Sequence, residues 1–195
     1  MTTVTPKKFT LDEYHRLEEL GFFSPDERVE LIRGEIIQMP TKKTPHSVCN
    51  TLLVQELIIL LGRRAIVRGQ EPIILPADSE PQPDVVIANN SPDNYISSHP
   101  YPEDVLLVIE ISDSTLSYDR TTKLSLYAED GIYHYWIFNL VDNCLEIYNE
   151  PYQDMQGKFS YRLRRIALPN ETVTLPGFPD LSLNLSSVFP RQSDA

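Results

Sequence analysis

The sequence predicts a mixed α/β fold, a central β-sheet with helices packed on it. Three observations carry that prediction. Helix-patterned segments with their own start and stop residues occur at three separated places. Apolar runs of strand length lie between them, and tight-turn pairs such as Arg33-Gly34 and Asp142-Asn143 punctuate those runs.

Thr10-Leu11-Asp12-Glu13 has the form of a capping box. Leu11, Tyr14, Leu17 and Leu20 follow at helical spacing, and Gly21 ends the first helix. RVELIRGEIIQM (28–39) reads as two short strands around Arg33-Gly34. Pro45 opens a second helix that runs to Leu61, with Val48, Leu52 and Ile58 on one face and Gly62 as the stop. Three strands are expected next, Ala65 to Leu75, Pro83 to Ala88 and Val105 to Ser112. The stretch 91–103, rich in Pro, Ser, Asp and Asn, reads as a loop between the second and third. Asp119 to Asp130 is a third helix, capped by Asp119 and closed by Gly131. Tyr133 to Phe138 and Cys144 to Tyr148 form a hairpin, and a further hairpin of Phe159 to Leu168 with Thr172 to Leu175 follows Gln156-Gly157. No internal repeat or low-complexity segment interrupts the series. A single domain over 1–190 with a flexible tail at 191–195 is expected.

Composition narrows the function classes. At 195 residues, with 41% hydrophobic and 23% charged side chains, the chain has enough apolar surface for a core. The longest apolar stretch, Leu57 to Leu61, is too short for a bilayer, and MTTVTPKKFTLDE lacks the apolar segment of a secretory signal, so a cytoplasmic protein without membrane partners is expected. Cys49 and Cys144 form no C-x-x-C pair, which argues against a thiolate zinc site. The net charge of −11 opposes non-specific binding to a polyanion, although Lys42-Lys43, Arg63-Arg64-Arg68 and Arg162-Arg164-Arg165 offer local basic surfaces.

Candidate chemistry begins in VIEIS (108–112). Side chains alternate along a strand, so Leu106, Val108, Glu110 and Ser112 share one face. Glu110 thus interrupts a face that otherwise reads as buried. An unpaired buried carboxylate costs several kcal/mol, on the order of the penalty for any buried charge, so Glu110 must have a cation, donors or a metal. In PQPDVVIA, Asp84 stands at a strand start, and if the two strands are neighbours the two carboxylates converge. A hard divalent ion, Mg²⁺ or Mn²⁺, between them would relieve their repulsion. Asp119, Lys123 and Tyr127 lie four apart on the third helix and share a face; turned to the sheet, that face brings Lys123 to the carboxylates. Metal-activated water beside an ammonium suits phosphodiester hydrolysis.

These residues resemble the PD-(D/E)XK nuclease superfamily and, more closely, the Uma-type family of restriction endonucleases. The likeness covers nearly the whole chain: FTLDEYHRL, RVELIRGEI, the helix led by His46, PQPDVVI, VIEISDST with DRTTKLSLYAEDGI and YWI, and LPGFPDLSLNLSSVF. The superfamily pattern expects lysine two residues after the glutamate, where this chain has Ser112. In the Uma-type family the lysine sits on the following helix, and Lys123 matches that place. His134 and Asn139 in YHYWIFN stand where the family wording suggests glutamate and aspartate. The resemblance implies a restriction-endonuclease-like mixed sheet flanked by helices, with additional β-hairpins. It also implies Glu30 as a further metal-side carboxylate, His46 as a site neighbour and Gln70 as a pocket-lining, substrate-side residue.

The resulting expectation is a Mg²⁺- or Mn²⁺-dependent endonuclease that cleaves DNA. Asp84, Glu110 and the Ile111 carbonyl would hold the ion, Glu30 would support it, Lys123 would position water and steady developing charge, and a homodimer would supply two sites. Two rivals stand beside it, a non-catalytic protein- or nucleic-acid-binding module that keeps the fold, and a hydrolase of smaller phosphate esters.

Overall fold

The computed structural model describes residues 5–24 and 26–190. The expected tail at 191–195 lies outside the described residues. The first helix, α1 (Leu11–Glu19), starts with the predicted capping box, in which Thr10 Oγ1 accepts from Glu13 N–H and Glu13 Oε2 accepts from Thr10 N–H. Of its apolar positions only Tyr14 is buried; Leu20 is 64% exposed. Strands β1 (Val29–Ile32) and β2 (Glu35–Gln38) form a separate antiparallel hairpin. Arg33 and Gly34 both turn with positive φ, and a Cβ on Gly34 would come within 2.9 Å of Lys8 Cβ, so this turn requires glycine.

The second helix, α2 (Thr44–Leu61), has its predicted length but buries a different face. Cys49, Leu53, Leu57 and Leu61 point into the core, whereas Val48 and Ile58 are 40% and 52% exposed. Apolar residues occur on every side of HSVCNTLLVQELIILL, so periodicity cannot select the face; the sheet does.

That sheet has six strands in the order β3 (Ile66–Gly69), β4 (Val85–Ala88), β5 (Val105–Ser112), β6 (His134–Asn139), β7 (Cys144–Gln153) and β8 (Phe159–Ala167). Only β5 and β6 run parallel; the other neighbours are antiparallel. The strand expected from Ala65 to Leu75 stops at Gly69 because Gln70 turns with φ +58°. The expected pairing of Phe159–Leu168 with Thr172–Leu175 is also revised. The first segment is β8, which pairs with an extended β7, while β9 (Thr172–Leu175) pairs with β10 (Phe178–Asn184) in its own hairpin. The prolines at 176 and 179 mask β10 in the sequence, as proline does wherever a strand lies at an edge.

On one sheet face, α2 and the β9–β10 hairpin cover Val85, Leu107, Ile109, Ile111 and Trp136. On the other, a helical run over 116–129, here α3, covers Val86, Val108, Tyr135 and Ile137. A bulge where β5 meets Ala88 takes Leu106 out of the alternation and leaves Val108, Glu110 and Ser112 facing α3. The third helix begins at Leu116 and not at Asp119, which lies one turn inside it. Residues Asp119–Lys123 form a π-helical turn between α-helical Leu116–Tyr118 and Leu124–Glu129. No helix among the described residues is long and apolar enough to cross a membrane.

Candidate active site

The register Val85↔Ile109 ends the β4–β5 ladder one residue short of Asp84 and Glu110, which lie across from each other at its open end, Glu110 reaching toward α3 and Asp84 toward the start of α2. With no further backbone partner on β4, the Ile111 N–H donates to Asp84 Oδ2 at 2.9 Å, and the Asp84 N–H donates to Glu110 Oε2 at 3.3 Å. Two acidic side chains thus finish the ladder that the backbone leaves open.

The π turn aims the cations. A spacing of four residues overshoots one α-helical turn by about 40°, so three residues at that spacing drift off a common face. One π turn winds more slowly and cancels the drift. Asp119, Lys123 and Tyr127 are all turned inward, at 4%, 3% and 0% exposure. Lys123 Nζ lies 2.6 Å from Glu30 Oε2 and 3.4 Å from Glu110 Oε1. The Tyr127 hydroxyl donates to Glu110 Oε1 at 2.8 Å, so this residue, which shares the helix face of Lys123, also holds the site. Asp119 Oδ2 accepts from Ser112 and Thr115 hydroxyls, both at 2.7 Å, and ties the start of α3 to the end of β5.

His46, in the first turn of α2, places Nε2 3.0 Å from Asp84 Oδ2. Glu30, on β1, is buried and accepts from the Gln82 N–H as well as from Lys123, so here it serves the lysine. Ile111 enters through its N–H. Gln70 touches the site only through its backbone, its N–H donating to the Asp84 carbonyl at 3.0 Å; the residue borders a separate groove between α2 and β3 and does not line the pocket. Two residues escape sequence reasoning. Lys42, just before α2, donates to Asp84 Oδ1 at 3.1 Å, and the Tyr118 hydroxyl lines the pocket, buried and without a partner among the described residues. Lys42 carries the signal of a basic surface pair, and no periodicity marks a connector.

The site opens into a pocket of about 240 Å³, roofed by the connector from β2 to α2. Its charges do not balance. Glu30, Asp84, Glu110 and Asp119 face Lys42, Lys123 and the His46 imidazole, while Asp113 and Lys43 pair at the rim at 3.2 Å. The two central carboxyls are pushed apart in acidity. Burial pushes Glu110 up to about 8, Lys123 opposes, and Asp119, Asp84 and Glu30 add to the rise. Burial also works against Asp84, but the His46 hydrogen bond, Lys42 and the Ile111 N–H outweigh it and hold its carboxyl below the usual value. Burial lowers Lys123, yet the charges of Glu110 and Glu30 more than reverse this and keep it protonated. Burial depresses Lys42, and Asp84 only partly restores it.

Among the described residues, no group of three or more His, Cys, Asp and Glu side chains is arranged as a preformed metal cage. The donor set nonetheless fits a hard cation. Asp84 and Glu110 offer carboxylate oxygens at adjacent strand positions, and the repulsion from neighbouring acids, which adds to the effect of burial on Glu110, is relieved by added positive charge. No cysteine lies among the pocket residues, which disfavours a soft metal.

Comparison with known proteins agrees with this architecture. A crystal structure of "a putative nuclease belonging to DUF820" from Anabaena variabilis ATCC 29413 superposes with a TM-score of 0.69 at 18% identity, over 93% of this chain and 97% of that one. Identity so low speaks for the fold alone, a six-stranded mixed sheet flanked by helices. No curated protein matches the chain in sequence. A family model described as "Uma2: Putative restriction endonuclease" matches residues 11–186, and with the match running from the first helix through the last hairpin, the chain belongs to the Uma2 family.

Proposed function

We propose that this protein is a metal-dependent endonuclease that hydrolyses DNA phosphodiester bonds, with Asp84 and Glu110 holding Mg²⁺ or Mn²⁺. The observation that carries the reading is the juxtaposition of these carboxylates across the β4–β5 ladder, with Lys123 fixed 3.4 Å from Glu110 at the floor of a pocket. Family membership supports a nuclease-like function. An ion bound there supplies a Lewis acid for the phosphate and lowers the pKa of attacking water.

The chain's own residues would do the rest. His46 and the Ile111 N–H fix Asp84 in one orientation. Glu30 anchors Lys123, so its ammonium is already in place when charge develops on the phosphate oxygens. Water oxygen bonds to phosphorus and gives up a proton to a base or solvent, the bond from phosphorus to the leaving sugar oxygen breaks, and that oxygen takes a proton from solvent to leave as the alcohol. The partly apolar roof, with Ile37 and Met39, limits the water around the reacting phosphate. Cutting both strands of a duplex takes two such sites, which a homodimer would supply.

The test is calorimetry with Mg²⁺ and Mn²⁺ on the wild type and on Glu110→Ala, followed by plasmid nicking with both proteins. The expected result is binding and nicking by the wild type and neither by the variant. The net charge of −11 favours a second reading, a non-catalytic binding module, and wild-type protein that ignores millimolar metal would leave that reading ahead.

A further inference from the structure

Two lysines contact the central carboxylates, and they are held differently. Lys123 is 4% exposed at its side chain, sits on a helix and has two carboxylate partners. Lys42 sits on the five-residue connector between β2 and α2, and among the described residues its ammonium has one partner, Asp84 Oδ1. The two Asp84 oxygens also differ. Oδ2 accepts the Ile111 N–H and faces His46 Nε2, both on regular elements. Oδ1 faces Lys42. A cation shared by Asp84 and Glu110 needs an Asp84 oxygen, and the one whose partner can leave is Oδ1. That oxygen is Lys42's.

We propose that Lys42 is an exchangeable counter-ion: it holds Asp84 Oδ1 until a divalent ion takes that oxygen, and then turns to a nucleic-acid phosphate at the pocket mouth. This rests on the metal-site reading of Asp84 and Glu110. The connector suits the exchange. It roofs the pocket, so a released Lys42 stays at the entrance, beside Lys43 at the rim. One lysine would thereby neutralise the site when it is empty and contribute to substrate binding when it is loaded.

The consequence is a pair of opposite effects from one substitution. Lys42→Met keeps the apolar stem and removes the competitor. Calorimetry with Mg²⁺ or Mn²⁺ alone should show binding about tenfold tighter than wild type, on the scale of a typical coupling between sites. Anisotropy with a short duplex, in Ca²⁺ to suppress cleavage, should show affinity about tenfold weaker and a salt dependence reduced by about one phosphate contact. Lys42→Gln should repeat both shifts. In the wild type, acylation of lysines followed by mass spectrometry should label Lys42 about tenfold faster once Mg²⁺ is added, with Lys123 protected throughout.

Metal affinity that is unchanged or weaker in Lys42→Met overturns the proposal, as does unchanged duplex affinity or labelling of Lys42 that ignores metal. The two readings fail differently. A wild type that binds no metal sinks the metal site and this exchange together. A wild type that binds metal, loses it in Asp84→Asn, and shows no change in Lys42→Met sinks the exchange alone.

Discussion

Glu110 and Glu146 stand in one row of the sheet. The registers Glu110↔Ile137 and Ile137↔Glu146 place them on the same face, two strands apart, both covered by α3. The π turn serves both, with Lys123 reaching Glu110 and Arg120 reaching Glu146. Their chemistry diverges in the number of donors. Glu146 accepts from Arg120, from Arg164 at 3.0 Å, from the Tyr148 hydroxyl at 2.6 Å and from Asn139 at 2.9 Å. Burial works against its charge, but these donors win and hold its carboxyl below the usual value. Glu110 has the Tyr127 hydroxyl, one backbone N–H and a lysine that Glu30 also claims, and its carboxyl rises to about 8. A saturated carboxylate has no free lone pair for a ligand, whereas an under-donated one next to a second carboxylate does. Donor count separates a structural acid from a candidate site acid where burial does not.

The sharpest way to break this comparison is to make the same substitution at both positions. Glu110→Gln keeps shape, the Tyr127 contact and the Glu30 anchor of Lys123, so stability should change by less than about 1 kcal/mol. Cleavage should fall by about 10³-fold, the loss typical of removing one electrostatic element of a site. Glu146→Gln should do the reverse. It leaves Arg120 and Arg164 facing an amide, and because both arginines are partly exposed the cost should be about 3 kcal/mol, the low end of the penalty for a broken buried pair. That is a fall in Tm of about 10 °C for a chain of this size. Nicking well below Tm should stay within about tenfold of wild type. Thermal melts and nicking on both variants check the crossing, and a Glu146→Gln variant as inactive as Glu110→Gln would show that the row acts as one network.

The sequence made Glu110 visible by strand alternation and Lys123 by helix spacing, and the structure brings the two within contact. The same alternation in CLEIY offers Glu146, with Cys144 and Tyr148 on its face, yet no chemistry distinguished it from a hairpin residue. Apart from Tyr148 on its own strand, its donors come from α3, β6 and β8, which only the assembled sheet brings together. Asn139, marked as a departure from the family wording, proves to be one of them. The π turn was equally hidden, since DRTTK carries no residue that breaks an α-helix. Lys42 lay in a connector, where neither period applies, and Gln70 depended on a strand that ends one residue before it.

Asp130 supplies the baseline between the two glutamates, because burial is the largest influence on it and no hydrogen-bond donor shifts it. It closes α3, half-buried, and burial first, then the charges of Glu129 and Asp78, push its carboxyl up to about 6 from a usual 3.8, with Arg33 opposing. The sign follows from proton binding. Between about 3.8 and about 6 the folded chain holds a proton that the unfolded chain has released, so stability falls as pH rises through this window. The penalty is absent below the window and complete above it. Two units correspond to about 3 kcal/mol at full effect, and partial exposure reduces this to about 1 kcal/mol. Asp130→Asn should therefore raise Tm by about 3 °C at pH 7.5 and leave it unchanged at pH 3.5. An equal gain at both pH values would assign the effect to the geometry of the helix end, and burial would then no longer serve as the common starting point from which donor count separates Glu110 and Glu146.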